Sequence, residues 1–140
     1  MLDAMTDSLD KLAPNIELWS ISWNPKLTAK RHGLKAASYF KMLHAIKGAK
    51  LVLVGGGTLL TDYGLLPLGY SLLLAFVAFA KMFGKKVMFH AIGAEPIGSK
   101  LWRFMTKFTL NKVDLITVRD EGSKRALVNA GVTNPPIYVT

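Results

Sequence analysis

Lys50-Leu51-Val52-Leu53-Val54-Gly55-Gly56-Gly57-Thr58-Leu59-Leu60-Thr61-Asp62 is the stretch on which the reading of the fold turns. Leu51–Val54 is an apolar run without alternation, the pattern of a short strand buried on both faces, as in a parallel sheet. The glycines that follow remove every Cβ where the chain has to turn and leave bare N–H groups able to face a ligand. The same glycines also suit a tight turn of backbone against backbone with no ligand at all. No Gly-Lys-Ser/Thr follows, which excludes a P-loop, and Leu60 stands where a dinucleotide fingerprint needs its third glycine.

Working outward, apolar spacing predicts a helix over 1–13 ending before Pro14-Asn15, then a strand over 16–22 ended by Asn24-Pro25. A short helix over 28–32 stops at Gly33, and a second over 39–46 has Gly48 as its end. Beyond the opening stretch, Pro67 suits the first turn of a helix reaching about Phe83, with Gly84 past its end. A strand over 87–92 leads into the loop Gly93–Gly98. A helix follows over 100–110, with Leu101, Phe104, Met105 and Phe108 expected inward. Strand 115–118, a loop at 119–121, helix 123–130 and a strand from Ile137 complete the chain. Short apolar strands joined by helices specify an α/β fold: a parallel Rossmann-like sheet with helices on both faces.

The chain has 140 residues, enough for one domain with a real core. Hydrophobic content of 51% with 19% charged residues excludes a disordered chain. A formal charge of +9 favours anionic partners. The lysines are scattered, however, without an aromatic-interleaved basic stripe, so nucleic acid is not expected as a partner. The absence of cysteine rules out disulfides and thiolate chemistry. Residues 64–80 carry no charge, but Pro67, Gly69 and Ser71 interrupt them, and a buried helix is expected there in preference to a membrane span. The start of the chain does not read as a signal peptide.

In an open parallel sheet, ligands bind beyond the carboxyl ends of the strands. Four segments meet there: 22–24, 55–62, 93–98 and 119–123. They carry Asn24, Gly55, Gly56, Gly57, Thr58, Asp62, Gly93, Glu95, Arg119, Asp120 and Glu121. Arg119, directly after a buried strand, is costly unless it meets an anion. Asp62 has the alternative of capping the turn after it, and Asp120 and Glu121 that of capping the next helix. His90 reads as a core histidine, and no metal site is expected.

Taken together, these pieces resemble the polysaccharide pyruvyl transferase family. The matching segments are Val54–Asp62, Gly84-Lys85-Lys86-Val87 leading into a strand, Ile92-Gly93 with Pro96, Ile116–Ser123, and the early Ser22-Trp23-Asn24-Pro25 with Thr28 and His32-Gly33. Where the family has Gly-Ile-Gly-Pro, this chain reads Ala91-Ile92-Gly93-Ala94-Glu95-Pro96. The resemblance implies a single Rossmann-like lobe over 1–140, one half of a two-lobed glycosyltransferase-B-like enzyme. The lobe is expected to be truncated at both ends, lacking a first strand and a carboxy-terminal lobe, and to be inactive alone. It implies transfer of a pyruvyl group from phosphoenolpyruvate, a donor substrate and not a cofactor, onto two hydroxyls of a sugar as a ketal. The acceptor would be a cell-envelope or exported polysaccharide, or a lipid-linked glycan. The enzyme would act in the cytoplasm, with peripheral contact at the inner face of the membrane. On this reading Asp62, Glu95 and Arg119 are catalytic. Asn24, Gly55, Gly56, Gly57, Thr58, Gly93, Asp120 and Glu121 bind substrate, and no metal takes part. The alternatives are a nucleotide-sugar glycosyltransferase lobe of the same build and a non-enzymatic anion-binding α/β module.

Overall fold

The computed structural model describes residues 7, 11, 15–22, 24–55, 57–60 and 67–140. Most of the helix read over 1–13 lies outside these, as do Trp23, Gly56, Thr61 and Asp62. The chain divides into two compact units, Met1–Gly48 and Ala49–Thr140.

The first unit contains β1 (Trp19–Ile21), α1 (Pro25–His32), β2 (Lys35–Ala37), a 3-10 turn (Tyr39–Lys41) and α2 (Met42–Gly48). β1 and β2 pair in parallel, with Trp19 opposite Lys35 and Ile21 opposite Ala37. The Lys35 ammonium, on β2, forms an ion pair at 2.9 Å with Glu17, two residues before β1. α1 begins where the sequence provides both start signals: Asn24 accepts a hydrogen bond from the Leu27 amide at 3.1 Å, and Pro25 holds the first helical position. It ends at Gly33, whose φ of +66° suits glycine. The strand at Lys35-Ala36-Ala37 goes beyond the sequence reading, because two alanines and a lysine carry little β propensity.

The second unit holds β3 (Leu51–Gly55), β4 (Thr58–Leu60), α3 (Pro67–Met82), β5 (Lys86–Ala94), α4 (Lys100–Leu110), β6 (Leu115–Val118), α5 (Glu121–Asn129) and β7 (Ile137–Val139). The strands run parallel in the order β3-β5-β6-β7, and β4 also pairs with β5. Fully buried Val87, Phe89, Ile92, Ile116 and Val118 build the centre of the sheet. Each such side chain contributes about 1.5–3 kcal/mol by leaving water. This is the α/β parallel architecture that the alternating pattern specifies, with the sheet flanked by helices.

α3 buries Tyr70, Leu74, Val77 and Ala80, one stripe at helical spacing. Among the described residues no helix is long and apolar enough to cross a membrane. α4 reverses the expected orientation. It buries Thr106, Thr109 and Leu110, whereas Leu101, Phe104 and Phe108 are exposed. The helix offers two apolar faces, and α3 selects between them. Trp102 packs edge-on against Tyr70 at 5.4 Å between ring centroids, and Tyr70 shares a hydrogen bond with the Thr106 hydroxyl. Thr106 also donates to the Trp102 carbonyl at 2.7 Å, so its burial leaves no polar atom unsatisfied.

At the amino ends of the strands, Asp114 accepts from Lys81 at 2.7 Å, from Lys86 at 3.0 Å and from the Val87 amide at 2.8 Å. Burial raises its pKa, but these donors prevail and lower it to about 2. This cluster fastens α3, β5 and β6 at the end of the sheet away from the glycines.

Candidate functional site at the carboxyl ends of the strands

The glycine stretch ends β3 at Gly55, as the sequence reading has it, but pairing with β5 resumes at Thr58. Gly55 aligns with His90 and Thr58 with Gly93, and the register then shifts, so that Leu60 aligns with Ala94. The Gly93 amide donates to the Gly57 carbonyl at 2.9 Å, and the Glu95 amide to the Leu60 carbonyl at 2.9 Å. β3 and β4 therefore pair with successive parts of β5. Gly57 has φ of +79° with open space where a Cβ would stand. Its glycine is required by backbone conformation, not by crowding.

β5 is irregular at the same level. Phe89 aligns with Ile116 and Ile92 with Val118, so β5 carries one residue more than β6 over this interval. Ala91 has φ of +47°, and its amide donates to the Thr117 hydroxyl at 2.8 Å. This is a β-bulge with a non-glycine residue in the left-handed region, a conformation that costs about 1–2 kcal/mol. The bulge changes which residues are buried. Before it Val87 and Phe89 are buried, and after it Ile92, Gly93 and Ala94 are. β5 also extends through Gly93 and Ala94, two residues that the sequence reading assigns to a loop.

Beyond the bulge, one row crosses the sheet. Thr58 aligns with Gly93, and the registers place Arg119 beside Gly93 and Thr140 beside Arg119. The Arg119 amide donates to the Ile92 carbonyl at 3.1 Å, and the Thr140 amide to the Val118 carbonyl at 2.9 Å. The Arg119 side chain lies across Gly93. A Cβ built on that glycine would sit 2.7 Å from Cζ and 2.9 Å from both Nε and Nη2. Gly93 has no positive φ; here the side chain is missing to make room.

Asp120 fixes the guanidinium from the other side. Arg119 Nε donates to its Oδ2 at 3.1 Å, and its Oδ1 accepts from the Ser123 amide at 2.6 Å, capping α5. The Ser123 amide, then its hydroxyl, and then Arg119 hold the Asp120 carboxyl below its ordinary pKa. Ser123 is buried and accepts from the Ala94 amide at 3.0 Å. A chain of hydrogen bonds thus runs from the end of β5 through Ser123 and Asp120 to Arg119. The sequence reading places Ser123 in the right element but assigns it no part; a serine two residues inside a helix start was the available signal.

The second unit brings Gly57, Thr58, Gly93, Arg119 and Asp120 to one edge. Glu95 follows directly after β5, and Glu121, the first residue of α5, is exposed. Gly55 lies further down the edge opposite His90. Asn24 belongs to the first unit, where its side chain caps α1. Gly56 and Asp62 are outside the described residues. Among the described residues, no three His, Asp or Glu side chains are grouped so as to hold a metal ion.

The Arg119 side chain is about half exposed. Among the described residues, Asp120 is its hydrogen-bond partner, through Nε, and this leaves the two Nη groups as a planar pair of donors. Such a fork matches the two oxygens of a carboxylate or phosphate. A family model described as polysaccharide pyruvyl transferase matches residues 1–140. No curated protein and no solved structure matches the chain.

Proposed function

The chain belongs to the polysaccharide pyruvyl transferase family, and we propose from that premise that it moves a pyruvyl group from phosphoenolpyruvate onto two hydroxyls of one sugar in a cell-envelope or exported polysaccharide. Membership makes it part of a transferase family; the donor, acceptor and cellular setting are our reading. The observation that carries the reading is the Arg119 fork laid across Gly93 at the strand ends, within a chain that the family model matches from residue 1 to residue 140.

The reaction requires a proton at the methylene carbon of the donor, which leaves the neighbouring carbon electrophilic. Two sugar oxygens then bond to that carbon as its bond to the phosphate oxygen breaks. Of the two hydroxyl protons, one balances the new methyl group and the other leaves with phosphate. No electrons change hands. The chemistry calls for an acid, a base and a cationic cradle. Glu95 and Asp62 are the carboxyl groups proposed for proton transfer. Arg119, with the Gly57 amide, is proposed to hold an anionic group of donor or acceptor. Thr58, Gly55, Gly56, Asp120 and Glu121 of the second unit are proposed for substrate binding, and Asn24 of the first unit is proposed separately as a substrate-binding residue. A second, glycosyltransferase-B-like lobe is proposed to close the cleft and share in binding the donor. The lipid-linked or polymeric acceptor would be met in the cytoplasm, at the inner face of the membrane.

The test is donor choice by the full-length protein. Incubated with a glycan acceptor and phosphoenolpyruvate, it should release inorganic phosphate and yield an acid-labile ketal. Release of nucleoside diphosphate from nucleotide sugars, with none of the above, would assign it to glycosyl transfer instead.

A further inference from the structure

The outward face of α4 has no part in the site described above. Leu101, Phe104 and Phe108 are 63%, 65% and 56% exposed and follow one another at helical spacing on one stripe. Phe104 and Phe108 stack with ring centroids 6.3 Å apart. Together with Lys107, Asn111 and Lys112 they line a shallow groove of about 300 Å³. From Pro96 to Val113 the chain carries Lys100, Arg103, Lys107 and Lys112 and no acidic residue.

We propose that this face of α4 docks on an anionic lipid surface. The apolar stripe would enter the interface between headgroups and acyl chains while the lysines meet the lipid phosphates. An amphipathic helix with phenylalanine and leucine on one side and only basic charge around them has the composition of an interfacial helix. The Lys107 stem lies against Gly131 and the Lys112 ammonium on the Phe108 ring, and both flexible side chains can swing to meet lipid phosphates. The charge argues against a second copy of the chain, because a two-fold interface through this stripe would bring lysine against lysine. It also argues for lipid over nucleic acid. Lys112 Nζ sits 3.6 Å from the Phe108 ring centroid, which covers a ring face that a base would need for stacking. The proposal stands on this surface alone and does not depend on the pyruvyl-transfer reading.

Flotation of the full-length protein with phosphatidylcholine vesicles, with and without added phosphatidylglycerol, tests it. Binding is expected with the mixed vesicles, weak binding with phosphatidylcholine alone, and a loss as salt rises. Two double variants, Phe104→Ser with Phe108→Ser and Lys107→Glu with Lys112→Glu, should each bind about tenfold or more weakly at an unchanged melting temperature. Hydrogen exchange of the unaltered protein, which needs no variant, should show slower exchange over 100–112 on the mixed vesicles. No binding, equal binding to both vesicle types, or unaltered binding by the variants would overturn the proposal. So would a phenylalanine variant that turns an oligomer into a monomer while vesicle binding stays the same, which would give the face to a second copy.

Discussion

The Arg119 guanidinium occupies the space that a side chain on Gly93 would fill, with Cζ 2.7 Å from the position of the missing Cβ. Gly93 lies on β5 and Arg119 directly follows the adjacent β6, one position beyond the paired Ile92 and Val118. A lone methyl group at Gly93 is therefore incompatible with this placement of Arg119. The guanidinium is the far end of a flexible, half-exposed side chain, so it can swing away at little cost to the fold.

Gly93→Ala is accordingly expected to separate activity from stability. The melting temperature should stay within the change caused by about 1 kcal/mol, while acceptor-dependent turnover falls at least tenfold. Thermal unfolding and kcat/KM measured on the same preparation check this. A variant that loses stability and activity together would show that Gly93 matters to the sheet and not to the placement of Arg119.

Ala91 offers a stability test of the bulge. Glycine accepts φ of +47° without the Cβ clash, a gain of about 1–2 kcal/mol, but it loses about 0.5–1 kcal/mol through the freedom of the unfolded chain. Ala91→Gly should therefore be more stable by about 0.5–1 kcal/mol, read as a higher urea midpoint at an unchanged slope.

Much of this fold can be read from local chemistry. Helix 100–110 and strand 115–118 are predicted to the residue, because polar and turn-forming residues bound each of them. The rotation of α4 is not legible. Leu101, Phe104 and Phe108 form a good apolar stripe, and only the partners Tyr70 and Trp102 determine that the other face turns inward. β4 escapes sequence reading for a related reason. Three glycines mark a turn, and the pairing with β5 that resumes at Thr58 is a long-range contact with no local signal in the sequence. At the site, the sequence singles out Arg119, Gly93 and Asp120 but does not reveal which of them touch. The registers place Arg119 over Gly93.

Asp114 contributes to the stability of the second unit above the acid range. Its pKa, about 2 when folded, lies below the ordinary aspartate value of about 3.9. The stabilisation is therefore complete above the ordinary value and disappears as the pH falls through about 2. Asp114→Asn should lower stability by on the order of 1 kcal/mol at neutral pH, allowing for the water that reaches the pair. The difference from the unaltered protein should shrink as the pH falls below about 4. Urea melts across the acid range would show this; a gap that stays constant with pH would rule out the ion pairs as its cause.

The central claim is that Arg119 holds an anionic group of the substrate with its two Nη donors while Asp120 steadies Nε. Lysine keeps the charge but cannot offer the planar fork. The most direct measurement is kcat/KM of Arg119→Lys in the full-length enzyme, with phosphoenolpyruvate and the glycan acceptor, alongside its melting temperature. The expected result is a loss of about tenfold or more, roughly 1.4 kcal/mol or more of transition-state stabilisation, at an unchanged melting temperature. Normal turnover, or a loss fully matched by a lower melting temperature, would contradict it.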